Sequence, residues 1–446
     1  MSMIKKQKWL ASGLFALMCA LSSAANAILP IEHWTTAQGV RVYFVAAPSI
    51  PMLDVQIDFD AGSRFDSRGK AGVASLTNSL LAKGVVAAGA LPELSEAQIA
   101  EGFARIGAQR GGGAGDDRAS ISLRTLTSQA ERGQGIALLA RLVTSPSFPD
   151  TVLAREKERV VQSIREAETK PETIAGQAYS ALLYGDHPYG FDATAASITA
   201  ISVNDLKQFY ERFYVRDGAV VSMVGAVTRA EAEKIAIELT AGLKPRTQAV
   251  PTLPVITSPQ GADKRIEHPA NQSHIFVGTT GVARGNPDYF SVLVANYVLG
   301  GGGFVSRLYK EVREKRGLVY SVYSYFSPQL QQGPFTIGLQ TQREQTGTAL
   351  KVVNETLQKF VAEGPSQKEL NEAKSNLVGG FALRIDNNRK ILDNVAMVGY
   401  YQLPLDYLDK WTSQIEKVSL LQARDAFRKY VDPSKMVTVV VGNAAK

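Results

Sequence analysis

Two stretches of this chain close in the same way. Phe213-Tyr214 leads into the apolar run Val220–Gly225, and Tyr430-Val431 leads into Val437–Gly442. The first run ends at Gly225 and the second at Gly442, 217 residues later. In both, helical spacing over residues 203–214 and 420–430 passes into a buried strand that stops at glycine. So long a period exceeds the solenoid repeats and fits two copies of an α+β domain. The 446 residues, 45% of them apolar, are enough for two such units and exclude a fibrous or largely disordered chain.

Between these endpoints the two halves read alike. In the first, residues 39–46 form a strand, and Leu53, Val55, Ile57 and Phe59 alternate with Asp54, Gln56, Asp58 and Asp60, the period of a half-buried strand. Residues 72–83 have helical spacing, and Ser95-Glu96-Ala97-Gln98 is a capping box opening a helix to about Ile106. A strand at Ala119, Ile121 and Leu123 follows, with helices over 129–143, 151–168 and 171–184. Pro245, Pro251, Pro254 and Pro259 punctuate a stretch with little helical period. Residues 244–263 therefore read as a linker between a domain at 28–243 and a domain at 264–446. The second half offers strands at 273–277, 318–326 and 335–340 and helices at 289–299, 305–314 and 349–361. Ser366-Gln367-Lys368-Glu369 is its capping box.

The N-terminus carries an export pattern. Lys5, Lys6 and Lys8 precede an apolar stretch from Trp9 to Leu21, and small residues end in Ala25-Asn26-Ala27. This is the layout of a secretory signal peptide, with cleavage expected after Ala27. The apolar stretch is short of the roughly 20 residues that a spanning helix needs, which disfavours an uncleaved anchor. Cleavage removes the single Cys and three Lys, so net charge falls from +7 to +4. The expected product is periplasmic or secreted, without a membrane anchor. Its interspersed charges and lack of a basic run argue against nucleic-acid binding.

Few residues offer chemistry. The four histidines, His33, His187, His268 and His274, are scattered, and no H-x-x-H, H-E-x-x-H or H-x-x-E-H occurs. His187, in Asp186-His187-Pro188-Tyr189-Gly190, reads as a loop residue that caps or hydrogen-bonds. No G-x-S-x-G nucleophile elbow is present. Gly300, Gly301, Gly302 and Gly303 follow an apolar helix but lack the G-K-[ST] of a phosphate loop. They read either as a mobile loop whose bare backbone admits another chain or as a helix-ending hinge. Arg313 and Tyr320 flank Gly317, where a helix gives way to a strand, so the two side chains can meet. Such a pair can donate hydrogen bonds to a substrate carbonyl or a developing oxyanion; alternatively it is a surface Arg and a strand Tyr.

The stretch Leu299-Gly-Gly-Gly-Gly-Phe-Val-Ser-Arg-Leu-Tyr-Lys-Glu-Val-Arg-Glu-Lys-Arg-Gly-Leu-Val-Tyr-Ser-Val-Tyr323 closely resembles the C-terminal domain of the insulinase/pitrilysin-type zinc peptidases, particularly their mitochondrial processing peptidase-like branch. Residues 72–84, the helix around Glu158, Asp186–Gly190 and Val437–Gly442 extend the match over nearly the whole chain. The resemblance implies an α+β fold of two homologous α/β-roll domains, and a clamshell of such units around a peptide chamber.

Active subunits of that family carry H-x-x-E-H between Gly-Leu-Ala and x-x-x-Lys-Gly. This chain has Gly72-Val-Ala-Ser75-Leu-Thr-Asn78-Ser79-Leu-Leu-Ala-Lys-Gly84. Ser75 and Ser79 stand at the histidine positions and Asn78 at the general base, and neither hydroxyls nor an amide replace those groups. The third ligand position, counted from Glu158, falls on Arg165. What matches is the family's Arg/Tyr pair, at Arg313 and Tyr320, and the glycine run resembles the substrate-contacting glycine-rich loop of the non-catalytic subunit. The resemblance thus implies a zinc-less subunit that binds no metal or cofactor itself. It would pair with a homologous subunit bearing H-x-x-E-H and zinc, and act on peptides or unfolded proteins. The alternative is a pseudopeptidase that binds peptides or scaffolds an envelope complex, as relatives in the cytochrome bc1 complex serve structurally.

Overall fold

A computed structural model describes residues 29–442. The export pattern at Lys5–Ala27 lies outside the described residues. Thirteen strands are found among them: β1 (Glu32–Thr35), β2 (Arg41–Ala46), β3 (Met52–Phe59), β4 (Gly84–Val85), β5 (Leu94–Ser95), β6 (Gln109–Ala114), β7 (Ala119–Leu126), β8 (Val220–Gly225), β9 (Ala262–Glu267), β10 (Gln272–Thr280), β11 (Val319–Phe326), β12 (Pro334–Gln342) and β13 (Val437–Gly442). They build a six-stranded sheet in the order β1-β2-β8-β3-β7-β6 and a five-stranded sheet in the order β11-β12-β10-β13-β9, with β4 and β5 a short pair apart. Reversed, the second order is the first without β1. In each sheet one pair is parallel, β2 with β8 and β9 with β13, and the remaining ladders are antiparallel. The molecule is an α+β duplication.

The 217-residue offset holds beyond the strands that suggest it. Helix Pro171–Tyr184 corresponds to helix Asn388–Tyr400, Val203–Phe213 to Leu420–Tyr430, and the turn Arg216–Gly218 to Pro433–Lys435. Even the caps correspond: Ser202 and Ser419 each accept from the backbone of the third helical residue, whose side chain reaches back, closing a capping box. The boxes at Ser95/Gln98 and Ser366/Glu369 form as their local sequence dictates.

Each sheet is covered by its own helices on one face and by a helix of the other half on the other. Helix 171–184 packs on β10 and β13, whereas helix 388–400 crosses β8, β3 and β2. Cross-half bonds fix both: Tyr179 Oη donates to the Phe335 carbonyl at 2.9 Å, and Arg41 and Arg118 donate to the carbonyls of Gly399 and Ala396 at 3.1 Å each. At the seam, Asp117 gathers Tyr401 Oη (2.7 Å) and Leu330 N (2.8 Å) on one carboxylate oxygen, and its carbonyl accepts from Tyr400 Oη at 2.6 Å.

This crossing corrects the reading of β3 as half-buried. Asp54, Gln56 and Asp58 are 1%, 5% and 0% exposed, because helix 388–400 covers the polar face. Their polarity is met internally: Arg124 Nε bonds Asp54 at 2.8 Å, and Gln56 Nε2 reaches both oxygens of Asp58 at 2.9 and 3.0 Å. Other departures are local. The helix beginning at Tyr289 stops at Asn296 and passes into a wide π turn over Tyr297–Gly301. The span 305–314 is a 3-10 turn, Gly303–Val305, followed by a π turn, Tyr309–Glu314. Strand β9 begins at Ala262, within the segment expected to be linker, because it pairs with β13.

Candidate functional site

The π turn Tyr309–Glu314 and strand β11 together place Arg313 and Tyr320. Ser306 starts the turn, its hydroxyl donating to the Gly303 carbonyl at 2.7 Å. Lys315 N reaches back to the Lys310 carbonyl at 3.0 Å, the wide spacing of a π turn. Gly317, with φ +63°, ends it in the left-handed conformation that glycine adopts freely, and its N–H bonds the Arg313 carbonyl at 2.8 Å. β11 begins two residues on, at the outer edge of its sheet. Val319 pairs with Thr341 and Ser321 with Gln340, so Tyr320 is the extra residue of a β-bulge. A bulge re-aims its side chain out of the ladder, and Tyr320 is 79% exposed.

The expected meeting of Arg313 and Tyr320 therefore occurs. The Arg313 guanidinium carbon lies 5.4 Å from the centre of the Tyr320 ring and 5.0 Å from that of Tyr309. Both are cation–π distances. Lys315 and Arg316 nearby pair with Glu311 at 2.7 and 2.8 Å. Among the described residues none of the ion pairs takes Arg313. A guanidinium held on aromatic faces keeps its planar fork of donors available for a carbonyl or carboxylate. Tyr309 escaped the sequence reading, although its position four residues before Arg313 is a same-face spacing.

The glycine run ends the π turn Tyr297–Gly301 and opens the 3-10 turn Gly303–Val305, packed in part against its own chain. Gly300 is buried, and a Cβ there would stand 2.4 Å from Ser324 Oγ and 2.7 Å from Ser324 N. A Cβ on Gly301 would stand 2.9 Å from Asn296 Nδ2, and one on Gly302 would stand 2.7 Å from the Tyr297 carbonyl oxygen. The chain that the bare backbone admits is this protein's own β11, which Asn296 Nδ2 ties down through the Ser324 carbonyl at 2.9 Å. Gly303 differs: it has φ +59° and open space around it. It leads to Phe304, 72% exposed.

At the degenerate motif, helix Val73–Leu80 exposes Ser75 and Ser79 on one face and buries Asn78. Asp66 caps this helix, accepting from Gly72 N and Ala74 N at 2.7 and 3.1 Å; burial pushes its carboxyl up to about 7 despite those bonds. Asn78 Nδ2 donates to the Ser120 carbonyl at 3.0 Å and to Tyr214 Oη at 3.2 Å. Ser79 Oγ turns back to the Leu76 carbonyl at 3.0 Å. Arg165, exposed on helix Asp150–Ala167, lines an open hollow with Glu158 and Gln162 that Ser75, Asn78 and Ser79 do not line. These residues do not fit a zinc ion. The amide is committed inward as a donor, the hydroxyls are poor ligands, and a guanidinium repels a cation. Among the described residues no three His, Cys, Asp or Glu side chains gather as metal ligands. His187 caps the turn Pro188–Gly190, its Nδ1 accepting from Tyr189 N at 3.2 Å, and burial lowers its pKa.

Residues 200–377 match the family model described as the peptidase M16 inactive domain. A Bacillus subtilis protein named uncharacterized zinc protease YmxG is 27% identical over 369 residues, covering 82% of this chain and 87% of its own length. A Helicobacter pylori protein named non-peptidase homolog YmxG is 26% identical over 406 residues, covering 89% and 90%. The crystal structure of a peptidase M16 inactive domain from Pseudomonas fluorescens superposes with a TM-score of 0.87 at 37% identity, over 93% of this chain and 98% of that one. With that identity sustained along almost the whole of both chains, this protein belongs to the peptidase M16 family.

Proposed function

We propose that this chain is the zinc-less subunit of an exported, heteromeric M16 peptidase, and that it supplies Arg313 and Tyr320 to peptide hydrolysis. The observation that carries this reading is the Arg313 guanidinium over two tyrosine rings, without an acidic partner among the described residues, beside a Tyr320 ring that a bulge turns into solvent. Arg313 is partly exposed and Tyr320 strongly so, which leaves their donors accessible to a substrate. A homologous subunit with H-x-x-E-H would bring the metal and the base. From this chain, Arg313 would bind the substrate backbone, and the Tyr320 hydroxyl would donate to the oxyanion as the carbonyl becomes tetrahedral. The glycine segment from Gly300 to Gly303 would border the substrate through Gly303 and Phe304. Export by the stretch ending at Ala27 fits the described residues, which hold no helix long and apolar enough to cross a membrane.

The test is to purify this chain with its zinc-bearing homologue and follow peptide cleavage. Arg313→Ala and Tyr320→Phe should each lower kcat/KM by about 10²–10³-fold, the loss typical of an oxyanion donor. Unchanged turnover in both variants would refute the role. It would favour the second reading, a peptide-binding or scaffolding homologue, which the non-peptidase name of the H. pylori relative supports.

A further inference from the structure

The two tyrosines beside Arg313 are not equivalent. Tyr320 is strongly exposed, its ring centre 5.4 Å from the guanidinium carbon. Tyr309 is half-buried in the same π turn as Arg313 and is itself braced: the Phe304 ring meets it edge-on, with centroids 4.9 Å apart and an interplanar angle of 84°. Phe304 sits in the turn Gly303–Val305, whose Gly303 carbonyl accepts the Ser306 hydroxyl that opens the π turn. The result is a continuous run of contacts: Phe304 edge-on to Tyr309, Tyr309 to the Arg313 guanidinium, and that guanidinium to Tyr320. It runs from the end of the glycine segment to the bulge.

We propose that Tyr309, braced by Phe304, is the positioning residue for Arg313. It holds the guanidinium over the edge of β11 so that the fork meets substrate already oriented. This rests on the role proposed above for Arg313, but the positioning itself is a property of the free chain. Three observations carry it. Arg313 lacks an acidic partner among the described residues, so the ring faces are the contacts that can orient it. The brace ties Tyr309 to the backbone that starts the turn. The π turn, a geometry concentrated at functional sites, places Tyr309 and Arg313 together. The Tyr309 hydroxyl has no part in the proposal; the ring face does the orienting.

Arginine side-chain NMR on the full-length chain tests this without any partner. The Arg313 Nε–H resonance, assigned by its loss in Arg313→Lys, should show a ring-current shift and restricted motion. Tyr309→Phe keeps the face and should keep both signatures. Tyr309→Leu should move the resonance toward that of a free arginine and release its motion, while the other arginine signals show that the chain is folded. Phe304→Ala should do the same in part. With the zinc-bearing homologue present, Tyr309→Leu should lower kcat/KM by about two- to fivefold, the population change expected from losing one exposed cation–π contact, and Tyr309→Phe should restore it. An Arg313 resonance unmoved in Tyr309→Leu would overturn the proposal. A moved resonance with undiminished turnover would uphold the positioning and instead defeat the catalytic role given to Arg313.

Discussion

The hydroxyl of Tyr179, on a helix of the N-terminal half, donates at 2.9 Å to the backbone carbonyl of Phe335 in the C-terminal sheet. Its ring lies where Gly278 has no side chain: a Cβ there would be 1.9 Å from the hydroxyl and 2.1 Å from the Phe335 oxygen. Tyr179→Phe should cost about 1–3 kcal/mol, the penalty for leaving a buried carbonyl short of a donor. Gly278→Ala should cost about 3 kcal/mol or more, since a backbone carbonyl cannot yield as a flexible side chain does. Adding Tyr179→Phe to Gly278→Ala relieves only one of the two clashes, so the double variant should stay destabilised. Urea midpoints at unchanged slope measure all three. A Gly278→Ala chain as stable as the parent would contradict the packing.

Because helices 171–184 and 388–400 are exchanged between the sheets, neither half should fold alone. A fragment of residues 29–243 would expose Tyr179 and Leu183 and leave the acidic face of β3 uncovered. A fragment of residues 262–442, which keeps β9 whole, would strip β10 and β13 of their cover. Each should be poorly dispersed in a proton–nitrogen NMR spectrum, and mixing them should restore dispersed signals. Either fragment giving a dispersed spectrum by itself would defeat this expectation.

The same crossing marks where sequence reading stops. Capping boxes and the β8 and β13 endings are local, so Ser95/Gln98, Ser366/Glu369 and the 217-residue offset are visible in the bare chain. The burial of Asp54, Gln56 and Asp58 is not, because their cover comes from residues more than 300 positions away. Strand β6, Gln-Arg-Gly-Gly-Gly-Ala, has little intrinsic strand preference and forms because β7 pairs with it. Arg313 and Tyr320 are legible through their motif, but the bulge that exposes one and the π turn that seats the other leave no periodic signal.

The glycine run divides by mechanism. Gly300→Ala should destabilise the chain by about 1–3 kcal/mol, because the added carbon runs into Ser324 and Leu308. Gly303→Asn should be tolerated within about 1 kcal/mol, since asparagine accepts positive φ and the surroundings are open. If the segment borders substrate as proposed, Gly303→Asn should change KM in the assembled enzyme without changing the melting temperature. Thermal melts of both variants check the division; equal losses would show that it is wrong.

Asp58 should give the fold a pH dependence of identifiable sign. Complete burial raises its carboxyl from 3.8 to about 6, against the opposing pull of Arg118 at 3.3 Å and the Gln56 bonds; Asp393, on helix 388–400, pushes the same way as burial. Between about pH 4 and 6 the folded chain keeps a proton that the unfolded chain has lost, so this group's contribution to stability falls as pH rises and is level above that window. At about 1.4 kcal/mol per unit, the fall is roughly 3 kcal/mol over the window. Asp58→Asn cannot titrate, yet its amide oxygen can still accept from Gln56 or Arg118. The stability of the variant minus that of the parent should therefore grow from pH 4 to pH 6 and then hold constant. Taking that difference cancels the carboxylates that titrate the other way, such as Glu369, held at about 2 chiefly by its hydrogen bond with Arg307. A difference that stays flat from pH 4 to pH 8 in urea unfolding would mean that Asp58 is charged in the folded chain throughout.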